Sequence, residues 1–533
     1  MSTPSKIGVI DCETDPFRNG RIPKPFCCEF YSAEHCKVTW GPNCIAEMCE
    51  WLEKLETPYL IFAHNGGKFD FHFFADYIDN PIKIIKARIV SAKLFHHTVR
   101  DSFAIIPVPL GAYQKQKFDY SKLEAHCREK HKREILEYLH SDCVNLFEIA
   151  FGFVERFGPR LTVGQTAMRE LKDRHEFEIM QPEQDAYFRQ FYYGGRVQCF
   201  QSGVLQGPWQ MYDVNSMYPK AMRDFDHPHN GNFDIIEGEF PAAGETYFMR
   251  FRGRNDNALP VKTPEGLSFN VERGEFFACS HEIEAALELG LIEIEEILEC
   301  AVALETTRFE TFVDDFYEQK VTCKKAGDKQ GEMFAKFMLN SAYGKFGQNP
   351  DNFEEWKIVR DYGNDEALEV AGYSIRAEYP TFELWSKKPP VRASAFYDVS
   401  IAASITSAAR SLMMRGIAQA VDPVYCDTDS LICREFKGEV SGTILGAWKH
   451  EGQADVAAVA GKKMYALYNH RSKEPIKVVS KGGNLTKRDI VDMCGGKTIH
   501  YRNDAPTFSL SRETTFVNRT FRKTVDMTAK TGL

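Results

Sequence analysis

The sequence predicts an α/β fold divided into several domains, and three observations carry that expectation. The chain has 533 residues, too many for one compact core, so two to four domains are expected. Short apolar runs that read as strands alternate with stretches of helical periodicity. Acidic residues recur where the strand patterns stop, first at Asp11 and last at Asp427 and Asp429.

Residues 6–11 (Lys-Ile-Gly-Val-Ile-Asp) and 59–64 (Tyr-Leu-Ile-Phe-Ala-His) read as buried strands, and 122–155 reads as helical, which makes the first 160 residues an α/β unit. Asp11 and Glu13 stand at i and i+2, so strand alternation aims both carboxylates at one side. Asp70 lies just beyond the second strand, while Tyr138 and Asp142 are one helical turn apart and share a face. Four carboxylates with a tyrosine beside them can bind two divalent metals and cleave a phosphodiester in line. Without such a role they are surface acids.

Gly194 and Gly195 follow the aromatic cluster Phe191-Tyr192-Tyr193 and mark a turn or linker. Residues 211–219 (Met-Tyr-Asp-Val-Asn-Ser-Met-Tyr-Pro) begin as a strand and break into a turn that presents Asp213. A helix is expected over 328–345, with Lys336, Asn340 and Tyr343 at i, i+4 and i+7 on one polar stripe and Gly344 leaving a flat spot. From 347 to Pro389-Pro390 the sequence is loop-rich and of mixed charge. The alanine-rich 399–420 is a second clear helix, and Tyr425-Cys-Asp-Thr-Asp-Ser-Leu431 reads as a hairpin with two acids at its tip.

The bulk composition, 43% hydrophobic and 26% charged, is that of a soluble globular protein, and its 40 Phe and 22 Tyr are assigned mostly to core. There is no run of about 18 apolar residues, and Met1–Lys6 lacks a secretory layout, so the expected place is the cytoplasm of a host cell, with no membrane partner. The fifteen cysteines are scattered without a CxxC pair, which speaks against a disulfide framework or a zinc ribbon and for a reducing compartment. His35, Cys36, Cys44 and Cys49 match no common zinc spacing and read as free thiols and a neighbouring imidazole. The net charge of −9 argues against a polyanion partner until its distribution is considered. Acids crowd into 282–318, leaving 114–133, 462–488 and 519–530 basic. The acidic stretch suits a protein partner better than DNA.

Taken together, the motifs resemble those of family B DNA polymerases. Asp11-x-Glu13, Asn65-x-x-x-Phe69-Asp70 and Tyr138-x-x-x-Asp142 are similar to the three proofreading exonuclease motifs of that family. The resemblance implies an RNase H-like 3′-5′ exonuclease domain followed by a right-hand polymerase of palm, fingers and thumb. It implies that Asp11, Glu13, Asp70 and Asp142 hold metals, that Tyr138 orients the attacking water, and that Thr14, Asn65 and Phe69 touch the frayed primer. Ser102 resembles part of a further primer-binding motif, and Lys115 an exonuclease lysine on the scissile phosphate.

In the polymerase half, Asp213 with the adjoining Val214, and Asp429, resemble the metal-binding positions of motifs A and C, with Asp427 in support. Two divalent ions per site, Mg2+ or alternatively Mn2+, are implied. Tyr218 resembles the residue that packs beneath the deoxyribose and excludes a ribose 2′-hydroxyl. Lys336, Asn340 and Tyr343 resemble motif B of the fingers, where they would meet the incoming nucleotide, and Lys324 a second triphosphate-binding base. Tyr192-x-Gly194-Gly195, Thr406 with Arg410, and Lys463-x-Tyr465 resemble DNA-binding elements, the last of them the KxY motif at the primer terminus.

The small size, with nuclease running directly into palm, resembles the compact protein-primed branch of phages and linear plasmids. Expected divisions are 1–160 exonuclease, 161–204 linker with the YxGG element, 205–224 palm, 225–305 a first insertion that would bind a terminal protein, and 306–346 fingers. They continue with 347–392, a second insertion for processivity, 393–469 palm, and 470–533 thumb. Expected partners are template-primer DNA, deoxynucleoside triphosphates and a terminal protein, for an enzyme acting as a monomer in viral or plasmid DNA replication. The alternatives are a nucleic-acid-primed or primer-independent polymerase and, from another class, an exonuclease or replication scaffold whose polymerase half is inert.

Overall fold

The computed structural model describes residues 6–18, 20–112, 117–264, 266–360, 365–389 and 398–523. Its N-terminal part is built on a sheet whose centre is the strand Lys6–Thr14, paired in parallel with Tyr59–Ala63 and antiparallel with Pro25–Ser32. Tyr59–Ala63 continues in parallel to His97–Asp101, which is followed by Arg88–Leu94 and Ile78–Ile85. The helix Lys132–Phe157 covers one face. Ile135, Leu139, Cys143, Leu146, Ala150 and Phe153 recur three or four positions apart and are buried, which defines its apolar stripe. Gly158, at φ 74°, ends the helix in a conformation that a side chain disfavours. The region expected as helix from 122 thus begins with a short 3-10 turn at Tyr120–Leu123 and becomes α-helical only at Lys132.

The stretch expected to be loop-rich after 347 contains three strands, and they extend this same sheet. Glu355–Val359 joins Ile78–Ile85 through the pair Trp356 and Ile82, and Glu383–Lys387 and Ser374–Glu378 follow outward. Asn80 fixes the seam by giving its amide to the Ile358 carbonyl (2.6 Å) and accepting the Ile358 N–H (2.9 Å). The ten strands therefore draw on sequence segments almost three hundred positions apart.

A second sheet of seven strands is centred on Gly203–Val214, flanked by Trp448–Gly461 on one side and Ser430–Cys433 on the other. The helix Val399–Ala418 packs behind it and is buried almost all round, so Ala, Ser and Gly dominate where neighbours approach closely. Asp398 caps its first turn by accepting the N–H groups of Ser400 and Ile401. Two helices, Glu310–Ala326 and Lys329–Ser341, form an antiparallel pair joined at Gly327 (φ 73°). The end of the second helix breaks at Ala342, and a short turn Tyr343–Phe346 follows.

Residues 225–305 carry a four-stranded sheet with the helix Ser280–Glu288. The acids of 293–299 do not form an unbalanced acidic surface. Arg252 pairs with Glu296 (2.7 Å) across neighbouring strands and Arg273 with Glu295 (2.8 Å) from one strand further away, while Arg250 pairs with Glu275 (2.6 Å) on its other side. The C-terminal part holds the helix Lys487–Cys494 and the hairpin Ile499–Thr507 with Thr515–Phe521.

Candidate active sites

The first site lies on the helix-covered face of the N-terminal sheet. Asp11 and Glu13 project to that face, as strand alternation requires, and Asp70 enters from the one-turn helix Asp70–His72. Asp142 arrives from the long helix one turn after Tyr138, whose ring stacks on Phe118 at 4.4 Å and whose hydroxyl lies 3.2 Å from that of Tyr120. The carboxylates crowd together, Glu13 and Asp70 buried and Asp11 and Asp142 half-buried. Burial, then Asp70, Glu13 and Asp142, hold the Asp11 carboxyl well above the usual range. Glu13 is pushed up to about 8 by burial and by Asp142 and Asp70, and Asp70 to about 7, chiefly by burial. The Asp70 Oδ1 atom is buried without a hydrogen-bond partner among the described residues. An all-oxygen donor set with an orphaned buried oxygen fits hard divalent cations.

Around this cluster Asn65 sits at φ 59° and accepts from Arg88 (2.9 Å), while Phe69 packs edge-on against Phe17, Phe73 and Phe508. Phe508 belongs to the C-terminal part, so two sequence-distant segments meet at this ring. Thr14 is buried, its hydroxyl donating to the Asp15 carbonyl. Ser102 does not suit direct contact with a strand. It is fully enclosed, donates to the Ala63 carbonyl (3.3 Å) and holds the His64 ring at 3.0 Å. Lys115 lies outside the described residues.

The second site is at one end of the seven-stranded sheet. Asp213 pairs in register with Ser430, and the Val214 N–H donates to the Asp429 carbonyl (2.7 Å), so motifs A and C are locked side by side by backbone bonds. The hairpin tip turns through Thr428 at φ 63°, whose N–H donates to the Arg196 carbonyl (2.7 Å). Burial, then Asp429 and Glu451, push the Asp213 carboxyl up to about 6, and burial with Asp427 raises that of Asp429. Asp427 differs from both. Its two oxygens are held by the Lys463 ammonium at 2.7 and 2.9 Å and approached by the Tyr425 hydroxyl at 3.3 Å. Tyr465 is buried against the Tyr425 ring at 4.8 Å.

Tyr218 and Tyr343 stack face to face, with centroids 4.0 Å apart and planes within 10°. Gly195 lies against them: a Cβ there would come within 2.9 Å of the Tyr218 hydroxyl and 2.8 Å of Thr428 Cγ2, so only glycine lets the Tyr192-x-Gly194-Gly195 element approach both motifs. Tyr192 itself packs beside Gly347. On the paired helices Lys336 and Asn340 are exposed on one stripe, as expected. Lys336 and Lys324 both act on Lys320, whose ammonium, half-buried and 3.3 Å from the Ser216 hydroxyl, is lowered by burial and these neighbours. Lys320 escaped the sequence reading, although it stands one turn before Lys324 on the same face.

Thr406 and Arg410 are not placed for the DNA contact expected of them. Thr406 is buried and donates to the Ala403 carbonyl (3.1 Å). Arg410 is enclosed, bidentate to Glu282 (2.8 and 2.6 Å), and donates to the carbonyls of Tyr193 (2.9 Å) and Gly194 (3.1 Å). Its charge is consumed inside the fold, where it ties the Val399–Ala418 helix to the helix Ser280–Glu288 and to the glycine element.

Comparison with known proteins bears out the class that these two sites define. The family model for DNA polymerase type B, organellar and viral, matches residues 109–423. The DNA-directed DNA polymerase of Enterobacteria phage PRD1 is 41% identical, with 97% of this chain and 98% of that protein aligned. The DNA polymerase of Bacillus phage phi29 is 23% identical, with 81% of each covered. The chain belongs to the organellar and viral type B DNA polymerases. It is a DNA-directed DNA polymerase of the phage PRD1 and phi29 type. Its fold matches that of phi29 DNA polymerase solved with primer-template DNA and incoming nucleotide, with a TM-score of 0.73 at 17% identity over 98% of this chain and 100% of that one. Among the described residues no helix is long and apolar enough to cross a membrane.

Proposed function

We propose that the chain replicates a linear viral or plasmid genome from a terminal-protein hydroxyl, and that it proofreads with the acid cluster of its N-terminal sheet. The observation that carries the polymerase site is the side-by-side placement of Asp213 and Asp429, set by the in-register pairing of Asp213 with Ser430 and the Val214 to Asp429 backbone bond. Divalent cations, in this reading Mg2+, supply charge neutralisation of the phosphates and activation of the attacking oxygen at each site. Asp213, the Val214 backbone and Asp429 hold them in the palm, and Asp11, Glu13, Asp70 and Asp142 in the nuclease.

The residues around each cluster orient the substrate. Lys336, Lys324 and Lys320 bind the triphosphate, Asn340 and Tyr343 border the nascent pair, and Tyr218, braced by Tyr343, blocks the space of a ribose 2′-hydroxyl. In the nuclease Tyr138 orients the attacking water, and Asn65 and Phe69 receive the frayed primer end beside Thr14. Residues 225–305 are assigned to terminal-protein binding and 347–392 to processivity. Primer extension and single-strand degradation by the parent, D429A and D142A test the two activities, each variant losing one. Transfer of labelled nucleotide onto a terminal protein tests priming, and extension of an oligonucleotide primer without any such transfer overturns that part. Comigration with one chain's mass in sedimentation tests the monomeric state.

A further inference from the structure

A third cluster of ligating side chains lies outside both acid sites. Glu29 stands on Pro25–Ser32, Cys36 opens the neighbouring strand Cys36–Trp40, and His140 projects from the helix Lys132–Phe157. Their ligand atoms converge: His140 Nδ1 is 2.6 Å from Glu29 Oε1, Cys36 Sγ 3.6 Å from the same oxygen, and Cys36 Sγ 4.0 Å from His140 Nδ1. All three lie within 4.8 Å of one another.

Two further features point to a ligand. Glu29 is fully buried, yet its second oxygen Oε2 has no hydrogen-bond partner among the described residues. A carboxylate is costly to bury half-satisfied. The cluster also opens to solvent, because Cys36 and His140 are exposed and an open cleft of about 710 Å³ is lined by Glu29, Val38, Leu136 and His140. That is an entry path which a packed ion pair does not need.

We propose that Glu29, Cys36 and His140 form a binding site for a divalent cation of the zinc class, with water in the fourth position. Thiolate, imidazole and carboxylate make a borderline donor set that selects zinc over magnesium or calcium, in contrast to the all-oxygen clusters. Bond lengths of about 2.0 to 2.3 Å put tetrahedral ligand atoms roughly 3.3 to 3.7 Å apart. Of the two sulfur distances, 3.6 Å lies within that range and 4.0 Å just beyond it, and the 2.6 Å contact of His140 with Glu29 opens by about 0.7 Å when the cation replaces the shared proton. Cys44 and Cys49 are buried, Cys49 in the core on the opposite face of the sheet, and Cys143 meets only the Glu29 backbone carbonyl (3.9 Å), so none of the three joins the cluster. The site ties the sheet edge to the helix that bears Tyr138 and Asp142, two positions to either side of His140.

The test uses the full chain saturated with Mg2+, so that the acid clusters are occupied. Co2+ titration into the parent is expected to produce a thiolate-to-cobalt absorption band, absent from Cys36→Ser, with His140→Asn weakening binding by at least ~10-fold. Micromolar Zn2+ is expected to slow alkylation of Cys36 at least tenfold in peptide mass spectrometry, with Cys127 and Cys494 as partly exposed controls in the same molecule. Unfolding curves of the variants show whether each retains the fold. No band in the parent together with unchanged Cys36 alkylation overturns the site, as does equal Zn2+ affinity of the parent and Cys36→Ser.

Discussion

Arg410→Met removes a guanidinium whose four hydrogen bonds all end inside the protein, two on Glu282 and one each on the carbonyls of Tyr193 and Gly194. Methionine replaces much of the stem, so the loss is electrostatic. Stranding one partner of a buried ion pair costs about 3–5 kcal/mol, and each orphaned carbonyl adds to that unless water reaches it. Domain stabilities are only about 5–15 kcal/mol, so a loss of about 4 kcal/mol is a large part of the total. Glu282→Met strands the opposite charge and should cost a similar amount. The double variant Glu282→Met with Arg410→Met leaves no uncompensated charge and should fall short of the sum by about 2–3 kcal/mol. Urea unfolding followed by tryptophan fluorescence measures the three losses. DNA affinity across salt concentrations measures the competing role, since loss of a phosphate contact would flatten the log–log slope by about 0.9. If Arg410→Met left stability within about 0.5 kcal/mol of the parent and flattened that slope, the side chain would be a DNA contact and not a tie inside the fold.

Asp213→Ala and Asp429→Ala should each lower primer extension by more than about 10³-fold while leaving single-strand degradation intact, whereas Asp427→Asn should cost only about 10- to 100-fold. Equal losses from Asp427→Asn and Asp429→Ala in single-turnover extension would contradict this division. Tyr218→Ala, which removes the ring stacked on Tyr343, should raise ribonucleotide insertion relative to deoxyribonucleotide by roughly 10- to 100-fold, read from kcat/KM ratios. Glu13, at about 8, and Asp70, at about 7, lie above their ordinary values, so the metal-free fold binds extra protons. Its stability from these groups is complete below the ordinary carboxylate range and is lost as pH rises through about 7 to 8. The rise in Tm on adding Mg2+ should accordingly be larger at pH 9 than at pH 5, and equal rises would count against the repulsion described.

The parts legible in the sequence were those in which spacing alone fixes direction. Asp11 and Glu13 share a face because a strand alternates, and Tyr138 and Asp142 because a helix turns in four residues. The hairpin at Thr428 was readable because its acids are bounded by apolar runs on both sides. Burial was not readable. A motif containing Thr406 and Arg410 looks the same whether its guanidinium meets a phosphate or Glu282, which lies 128 positions away. The strands between 355 and 387 were hidden for a related reason. Ser374–Glu378 lies at the sheet edge, mostly exposed, so it lacks a period-two pattern, and the pairing of Trp356 with Ile82 is a long-range event with no local signal. The acids of 293–299 read as an isolated charge run because their arginine partners sit on other strands.

The structure also gives a reason for two acids at one hairpin tip to behave differently. Lys463 reaches both oxygens of Asp427, and its own N–H donates to the Tyr425 hydroxyl (2.8 Å), so motif C and the KxY element form one cluster with Tyr465 packed beneath. The Asp427 carboxylate thereby has its counter-charge inside the fold. Among the described residues Asp213 and Asp429 form no ion pair, and each raises the other's cost of ionisation or is raised by a neighbouring acid. A cation gains most where negative charge is uncompensated by the fold, so in the proposed reading Asp213 and Asp429 would hold it while Asp427 keeps Lys463 in position. Lys463→Met should then shift activity through Asp427: with the carboxylate freed and its counter-charge gone, the concentration of Mg2+ needed for half-maximal extension changes along with primer affinity. A variant that altered primer affinity alone would mean that the lysine serves DNA and not the hairpin.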